Sequence, residues 1–176
     1  MSNCRSFFRS LAIAAIAAII ALPGCDPPPP PGKQVGNQAP EIAGTDMDGK
    51  PIRLSDHRGK VVLVSFWGTW CPPCRAMLPH EREMVEHKYK DRPFVMLGVA
   101  SDAADTLREF SKDNPLPWLN IVDGTKIVSR EWGVHNFPTM VLIDHKGVIR
   151  DRWEGGGAAN DVWRAVDKVV IAAEAP

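Results

Sequence analysis

The stretch Val61-Val62-Leu63-Val64-Ser65-Phe66-Trp67-Gly68-Thr69-Trp70-Cys71-Pro72-Pro73-Cys74 decides how the rest of the chain is read. From Val61 to Trp67 only Ser65 interrupts the apolar run. Such a run fits a central strand covered on both faces. A helix is predicted from about Cys71 to about Lys88, with Met77, Leu78, Met84 and Val85 as its apolar side. Glu81, Glu83, Glu86 and Lys88 are expected mostly in water. Pro79 falls inside this helix, removes one backbone donor and should kink it.

A buried strand that runs straight into two cysteines at a helix start points to a reversible disulfide. Cys71 stands at or just before the first turn, where unpaired N–H groups and the helix dipole favour a thiolate. Its pKa should fall below the free-thiol value of about 8.5. Cys74 lies one turn deeper and is expected to be shielded. Cys71 is then the attacking thiolate and Cys74 resolves the mixed disulfide. Pro73 tolerates the lack of an N–H in the first turn and stiffens it. The two sulfurs carry the electrons, so no cofactor is expected. Half a zinc site is the rival, but the body offers no second cysteine pair and no His-x₃-His pattern. A permanent structural disulfide is the other.

Outward from this stretch the chain alternates strands and helices. Residues 41–54 read as a small hairpin about Asp48-Gly49, and Ser55 as the cap of a short helical turn ending before Gly59. Phe94 to Ala100 is a second central strand, and Ser101 is placed to cap a helix through about Asp113. Residues 118–122 are expected to be extended, and residues 125–132 to form a short helix stopped by Gly133. Residues 139–143 and 148–153 form antiparallel strands joined by a tight turn. Gly155 to Gly157 make a corner rather than a phosphate loop. A last helix starts at Asn160 or Asp161, with Val162, Ala165, Val166, Val169 and Val170 facing the core. The fold class is α/β, a mixed sheet with helices on both faces.

The N-terminal residues read as an address. Arg5 and Arg9 precede an apolar run from Leu11 to Leu22, too short to span a bilayer. Residues 1–24 are therefore expected to be a signal peptide. Leu22-Pro23-Gly24-Cys25 resembles the lipobox of bacterial lipoproteins, with Pro23 departing from the usual small Ala or Ser. That resemblance implies a lipid on Cys25, an anchor without a spanning helix. Residues 25–34, with prolines from Pro27 to Pro31, form a tether that should run extended at about 3.1 Å per residue. The folded domain is placed at residues 35–176.

The whole chain has 176 residues, 44% hydrophobic and 24% charged, which suits one domain with a real core. Its 21 basic and 21 acidic residues provide no net positive charge to attract nucleic acid. Four cysteines are too few for a disulfide-scaffolded minidomain. A monomer is expected.

The sequence resembles the thioredoxin superfamily, and within it the membrane-associated TlpA/ResA-like oxidoreductases, over about residues 35–171. The markers are residues 61–74, then Pro79, then Gly133-Val134-His135-Asn136-Phe137-Pro138-Thr139, then Leu142-Ile143-Asp144-His145-Lys146-Gly147. The resemblance implies a thioredoxin-like fold with an N-terminal hairpin and a helical insertion after Ala100. It implies a cis Phe137–Pro138 bond facing the cysteines, with the residue 137 backbone open to an extended substrate. Trp67 is expected as packing, and Trp70 as a rim contact shielding Cys71. Trp70, Pro72, Pro73, Phe137 and Pro138 are the supporting residues.

Two family acids are missing. Ser65 stands where thioredoxins carry a buried Asp, and Met77 where some ResA-like reductases carry a Glu. Deprotonation of Cys74 must then rely on water or another group. His80, His135 and Arg75 lie near enough in sequence to be considered, with a surface position as their default.

The function implied is reduction of protein disulfides outside the cytoplasm, with apocytochrome c among the substrates and a membrane donor that re-reduces the pair. The same dithiol could run as a disulfide-forming oxidase. A peroxiredoxin would need a Thr three residues before its cysteine, where this chain has Gly68 or Cys71. A Cu(I) carrier would use both thiolates, with the Met77 thioether as a third ligand. Protein thiols and disulfides are the partners expected.

Overall fold

The computed structural model describes residues 29–175. The expected signal peptide, Cys25 and the first part of the tether lie outside the described residues. Strand β3 (Val61–Trp67) is buried at every position, as its apolar run requires. It is the centre of a five-stranded sheet. Strand β4 (Phe94–Ala100) pairs with it in parallel, from Val61 opposite Phe94 to Trp67 opposite Ala100. Strand β6 (Thr139–Ile143) pairs with its other edge antiparallel. Strands β5 (Leu119–Val122) and β7 (Ile149–Glu154) complete the order β5-β4-β3-β6-β7.

Residues at alternate positions of the sheet feed two cores. Val61, Leu63 and Trp67 face helices α1 (Pro72–Glu83), α2 (Ala104–Asp113) and α4 (Ala159–Glu174). From these helices come Met77 and Leu78, Leu107, and Val162, Val166 and Val170. Val62, Val64 and Phe66 face the opposite way. There they meet Ile42, Ile52 and Leu54 of the N-terminal hairpin region, and Trp132 after α3 (Ile127–Glu131). The hairpin pairs β1 (Ala43–Thr45) with β2 (Pro51–Arg53), and Gly49 takes the left-handed conformation its turn requires. The sheet is therefore mixed, with helices on both faces and a hairpin ahead of it, as expected.

The tether end is tied to the body. The backbone N–H of Gln38 donates to Pro30, and Gly36 and Asn37 bond to Ile149 at the start of β7. Among the described residues no helix is long and apolar enough to cross a membrane.

Three local expectations are corrected. Ser55 caps nothing: it lies inside a 3₁₀ turn (Leu54–His57), and its N–H donates to the Glu41 carboxylate. β2 runs directly into that turn, which puts Arg53 at the cap position. Ser101 does not cap α2 either, because its N–H still extends the ladder to the Trp67 carbonyl. The cap position of α2 falls to Ala103, which offers no side-chain acceptor. Glu81 is not in water. It is 3% exposed, on the same side of α1 as Cys74, Met77 and Leu78. The helix runs through Pro79, which falls on the exposed face, and ends in a π-helical turn over Met84–Lys88.

Candidate active site

β3 delivers the chain to the end of the sheet, where Gly68-Thr69-Trp70 turns it into α1. Gly68 lets these groups close in, since a Cβ there would come within 3 Å of the Trp70 indole and the Ser101 hydroxyl and force them to shift. The turn is held by Asp102, just past β4. Its buried carboxylate accepts the Thr69 N–H at 2.9 Å and the Thr69 hydroxyl at 2.7 Å.

Cys71 is the N-cap of α1, in extended backbone conformation. It is joined to Cys74 in a disulfide with Cα atoms 5.3 Å apart. Each cysteine is 3% exposed. Pro72 and Pro73 occupy the first two helical positions, and neither has an N–H. The first free donor of the turn is the N–H of Cys74, and it points at Cys71 Sγ at 3.3 Å. The N–H of Arg75 goes to the Cys71 carbonyl. The sulfur expected to be the nucleophile thus takes one backbone donor from the helix start. That contact favours its thiolate form.

The Phe137–Pro138 peptide is cis, as expected. Pro138 and Cys74 line one narrow void together with Ser65, Trp67, Met77, Leu78 and Glu81. The Pro138 carbonyl takes the Gly155 N–H, and the Asn136 carbonyl takes the Thr139 hydroxyl. Among the described residues, neither backbone group of Phe137 is paired. A peptide lying across the cysteines would find both open.

Trp67 is packing: it is buried, tilts against Phe110 and donates its indole N–H to Asn120. Trp70 is 53% exposed and meets Phe137 edge-on at 5.5 Å. Lys126 lies over both rings, at 5.1 Å from Trp70 and 5.8 Å from Phe137. These three side chains make a cationic, aromatic rim. On the other flank Gly156 packs at Pro73, and a groove runs past Pro73, Met77, His80 and Asn160. His80 stands edge-on to Trp163, His135 is exposed, and the Arg75 guanidinium rests over Phe110. None of the three is brought onto the sulfurs.

Glu81 carries no hydrogen bond or ion pair to a described residue, and burial alone pushes its carboxyl up to about 8. Asp102 and Lys126 join the site from distant segments that carry no local motif. For Glu81 the signal was present, since 74, 77, 78 and 81 share one helical face. Among the described residues there is no group of three or more His, Cys, Asp or Glu that could hold a metal ion. A surface hollow past Lys60, Tyr89, Phe94 and Trp118 lies at the opposite end of β3 and β4 from the cysteines.

A vicinal dithiol at a helix N-cap, beside a cis-proline on a mixed sheet, defines a thioredoxin-fold enzyme of thiol-disulfide exchange. Comparison with known proteins agrees. The AhpC/TSA family matches residues 35–152. The thiol-disulfide oxidoreductase ResA of Bacillus thuringiensis subsp. konkukian is 33% identical over 123 residues, 69% of this chain and 70% of that one. The thioredoxin-like protein YneN of Bacillus subtilis is 33% identical over 123 residues, 68% and 71% of the two chains. Among solved structures, the thioredoxin domain of a Bacteroides vulgatus thiol-disulfide oxidoreductase superposes with a TM-score of 0.68 at 28% identity, covering 78% of this chain and 98% of that one. The exposed lipoprotein thioredoxin Etrx1 of Streptococcus pneumoniae gives 0.62 at 26% identity, covering 73% and 99%. The chain belongs to the AhpC/TSA family of the thioredoxin superfamily, among its TlpA/ResA-like thiol-disulfide oxidoreductases.

Proposed function

We propose that this protein is an extracytoplasmic reductase of protein disulfides, with Cys71 as nucleophile and Cys74 as resolving thiol. The Cys71 thiolate attacks one sulfur of a substrate disulfide. A mixed disulfide forms, and the first substrate thiolate leaves and takes up a proton. Cys74 then gives up its proton and attacks Cys71 Sγ. The Cys71–substrate bond breaks, the second substrate thiol is released, and the enzyme is left as the disulfide. A dithiol donor at the membrane returns the two electrons.

The observation that carries the direction is the single N–H that the described residues offer Cys71 Sγ. A strongly oxidising pair needs a highly stabilised thiolate. Here Pro72 and Pro73 remove two of the donors that would supply it. The reduced form is correspondingly less favoured, which makes the pair a better reductant. A peroxidase reading finds no support in the turn, where the Thr69 hydroxyl is committed to Asp102.

The open backbone of Phe137 beside Pro138 takes the substrate chain, and Trp70, Pro72 and Pro73 form the contact face. Residues 1–24 are a signal peptide, Cys25 is lipidated, residues 25–34 are the tether and residues 35–176 the working domain. The lipobox resemblance supports this, as does the likeness to a pneumococcal lipoprotein. Apocytochrome c thiols and other oxidised envelope proteins are the substrate class.

A Cys74→Ser variant tests the roles. It should accumulate protein-linked mixed disulfides at Cys71, released by added thiol, while Cys71→Ser accumulates none. Equal trapping by both variants would contradict the assignment.

A further inference from the structure

When Cys74 attacks Cys71 it must lose a proton, and when the disulfide is reduced it must regain one. The transfer takes place inside the protein, because Cys74 is 3% exposed and lines a narrow void with Pro138. The groups facing Cys74 can be named. From β3 they are Ser65 and Trp67, from the loop before β6 Pro138, and from α1 itself Met77, Leu78 and Glu81. Of these only Glu81 ionises. The other charged groups on this part of α1 are turned away: Arg75 lies over Phe110, and Arg82 donates to the Pro115 carbonyl.

Glu81 sits two helical turns after Cys74, on the same face. Side chains on a helix lean back toward its N-terminus, which carries the carboxyl toward the cysteine. The void they share has no space for a water-sized sphere with the disulfide closed.

We propose that Glu81 is the group that exchanges a proton with Cys74 during turnover. In the resolving step the Glu81 carboxylate accepts the Cys74 S–H proton as Cys74 Sγ bonds to Cys71 Sγ and the Cys71–substrate bond breaks. In re-reduction the donor thiolate attacks Cys71, Cys74 leaves as a thiolate, and the Glu81 carboxylic acid returns the proton. In the resolving step the negative charge leaves with the substrate thiolate, and in re-reduction it comes to rest on the Glu81 carboxylate rather than on the Cys74 sulfur. A buried acid with no ion-pair partner among the described residues is poised for this, since burial raises its carboxyl toward thiol pKa values. The buried acid that this chain lacks at 65 and 77 is supplied from 81. The inference rests on the dithiol assignment above.

The test uses the full reduced chain, oxidised glutathione as the probe, and rapid acid quench to separate the two steps. In the unaltered protein the resolving rate should rise with pH through an inflection well above the ordinary carboxyl range, because burial raises the Glu81 carboxyl. Glu81→Gln should slow resolution at neutral pH by about tenfold or more and move the inflection upward, to the titration of the Cys74 thiol itself at or above about 8.5. Formation of the Cys71–glutathione adduct should stay within about twofold, since its sulfur is served by the Cys74 N–H. Glu81→Asp should keep the inflection. Should Glu81→Gln fail to fold, the unaltered protein decides the matter through its reduced-minus-oxidised infrared difference spectrum. A protonated-carboxyl band that changes with the redox state, and disappears above about pH 9, supports the assignment. Resolution within about twofold in Glu81→Gln with an unchanged pH profile overturns it, as does a spectrum without that band. If the unaltered protein forms no glutathione adduct at all, the dithiol assignment itself has failed.

Discussion

Two prolines and one carboxylate set the chemistry of the cysteines. Pro72 and Pro73 leave the helix start with a single donor for Cys71, and Glu81 puts an ionisable group under Cys74. Burying that carboxyl costs stability. Its pKa is raised from 4.5 to about 8, so between those values the folded state holds a proton that the unfolded chain has released. Rising pH therefore drains stability across that window. Urea unfolding of Glu81→Gln should show the variant gaining on the unaltered protein by on the order of 4 kcal/mol between about pH 4.5 and pH 8. Parallel stability curves would contradict the burial. Glu81 was misread in the sequence because residue type outweighed spacing. A Glu among Glu83, Glu86 and Lys88 looks solvated, although its helical position is that of Leu78 and Cys74.

At the scale of elements, the strands and their tight turns were legible and the helix caps were not. β3 and β4 came out residue for residue, since each is an apolar run that stops at Lys60 and Gly68 or at Pro93 and Ser101. Ser101 misled because a Ser after a strand looks like a helix cap, while here it prolongs the β3–β4 ladder. Its neighbour Asp102 does the structural work, reaching across to Thr69 on the turn that presents Cys71. No sequence pattern couples residues 33 positions apart. Asp102→Ala leaves the Thr69 N–H without its acceptor in a half-buried turn. It should lower unfolding stability by about 1–3 kcal/mol. Thr69→Val, which keeps the N–H bond, should cost less. Denaturant titration ranks the two, and the reverse order would contradict this account of the turn.

Across the whole molecule, residues far apart in sequence converge at one end of the sheet. The turn after β3, the cis-proline before β6, and Lys126 before α3 meet there. Family resemblance made Pro138 legible, whereas Lys126 was not, because its place over Trp70 and Phe137 depends on the fold alone. The proposed anchor belongs to this scale too. In a bacterial host, Cys25→Ala should move the full chain from the membrane fraction to the soluble fraction while leaving the Cys71–Cys74 couple intact. Retention in the membrane would contradict lipidation at Cys25. The central claim is that this dithiol works as a reductant, and its equilibrium reduction potential tests that claim most directly. Poised in defined thiol/disulfide buffers and read by thiol trapping, the Cys71–Cys74 couple should lie near or below about −250 mV. A value close to about −120 mV, that of a strong oxidant, would contradict it.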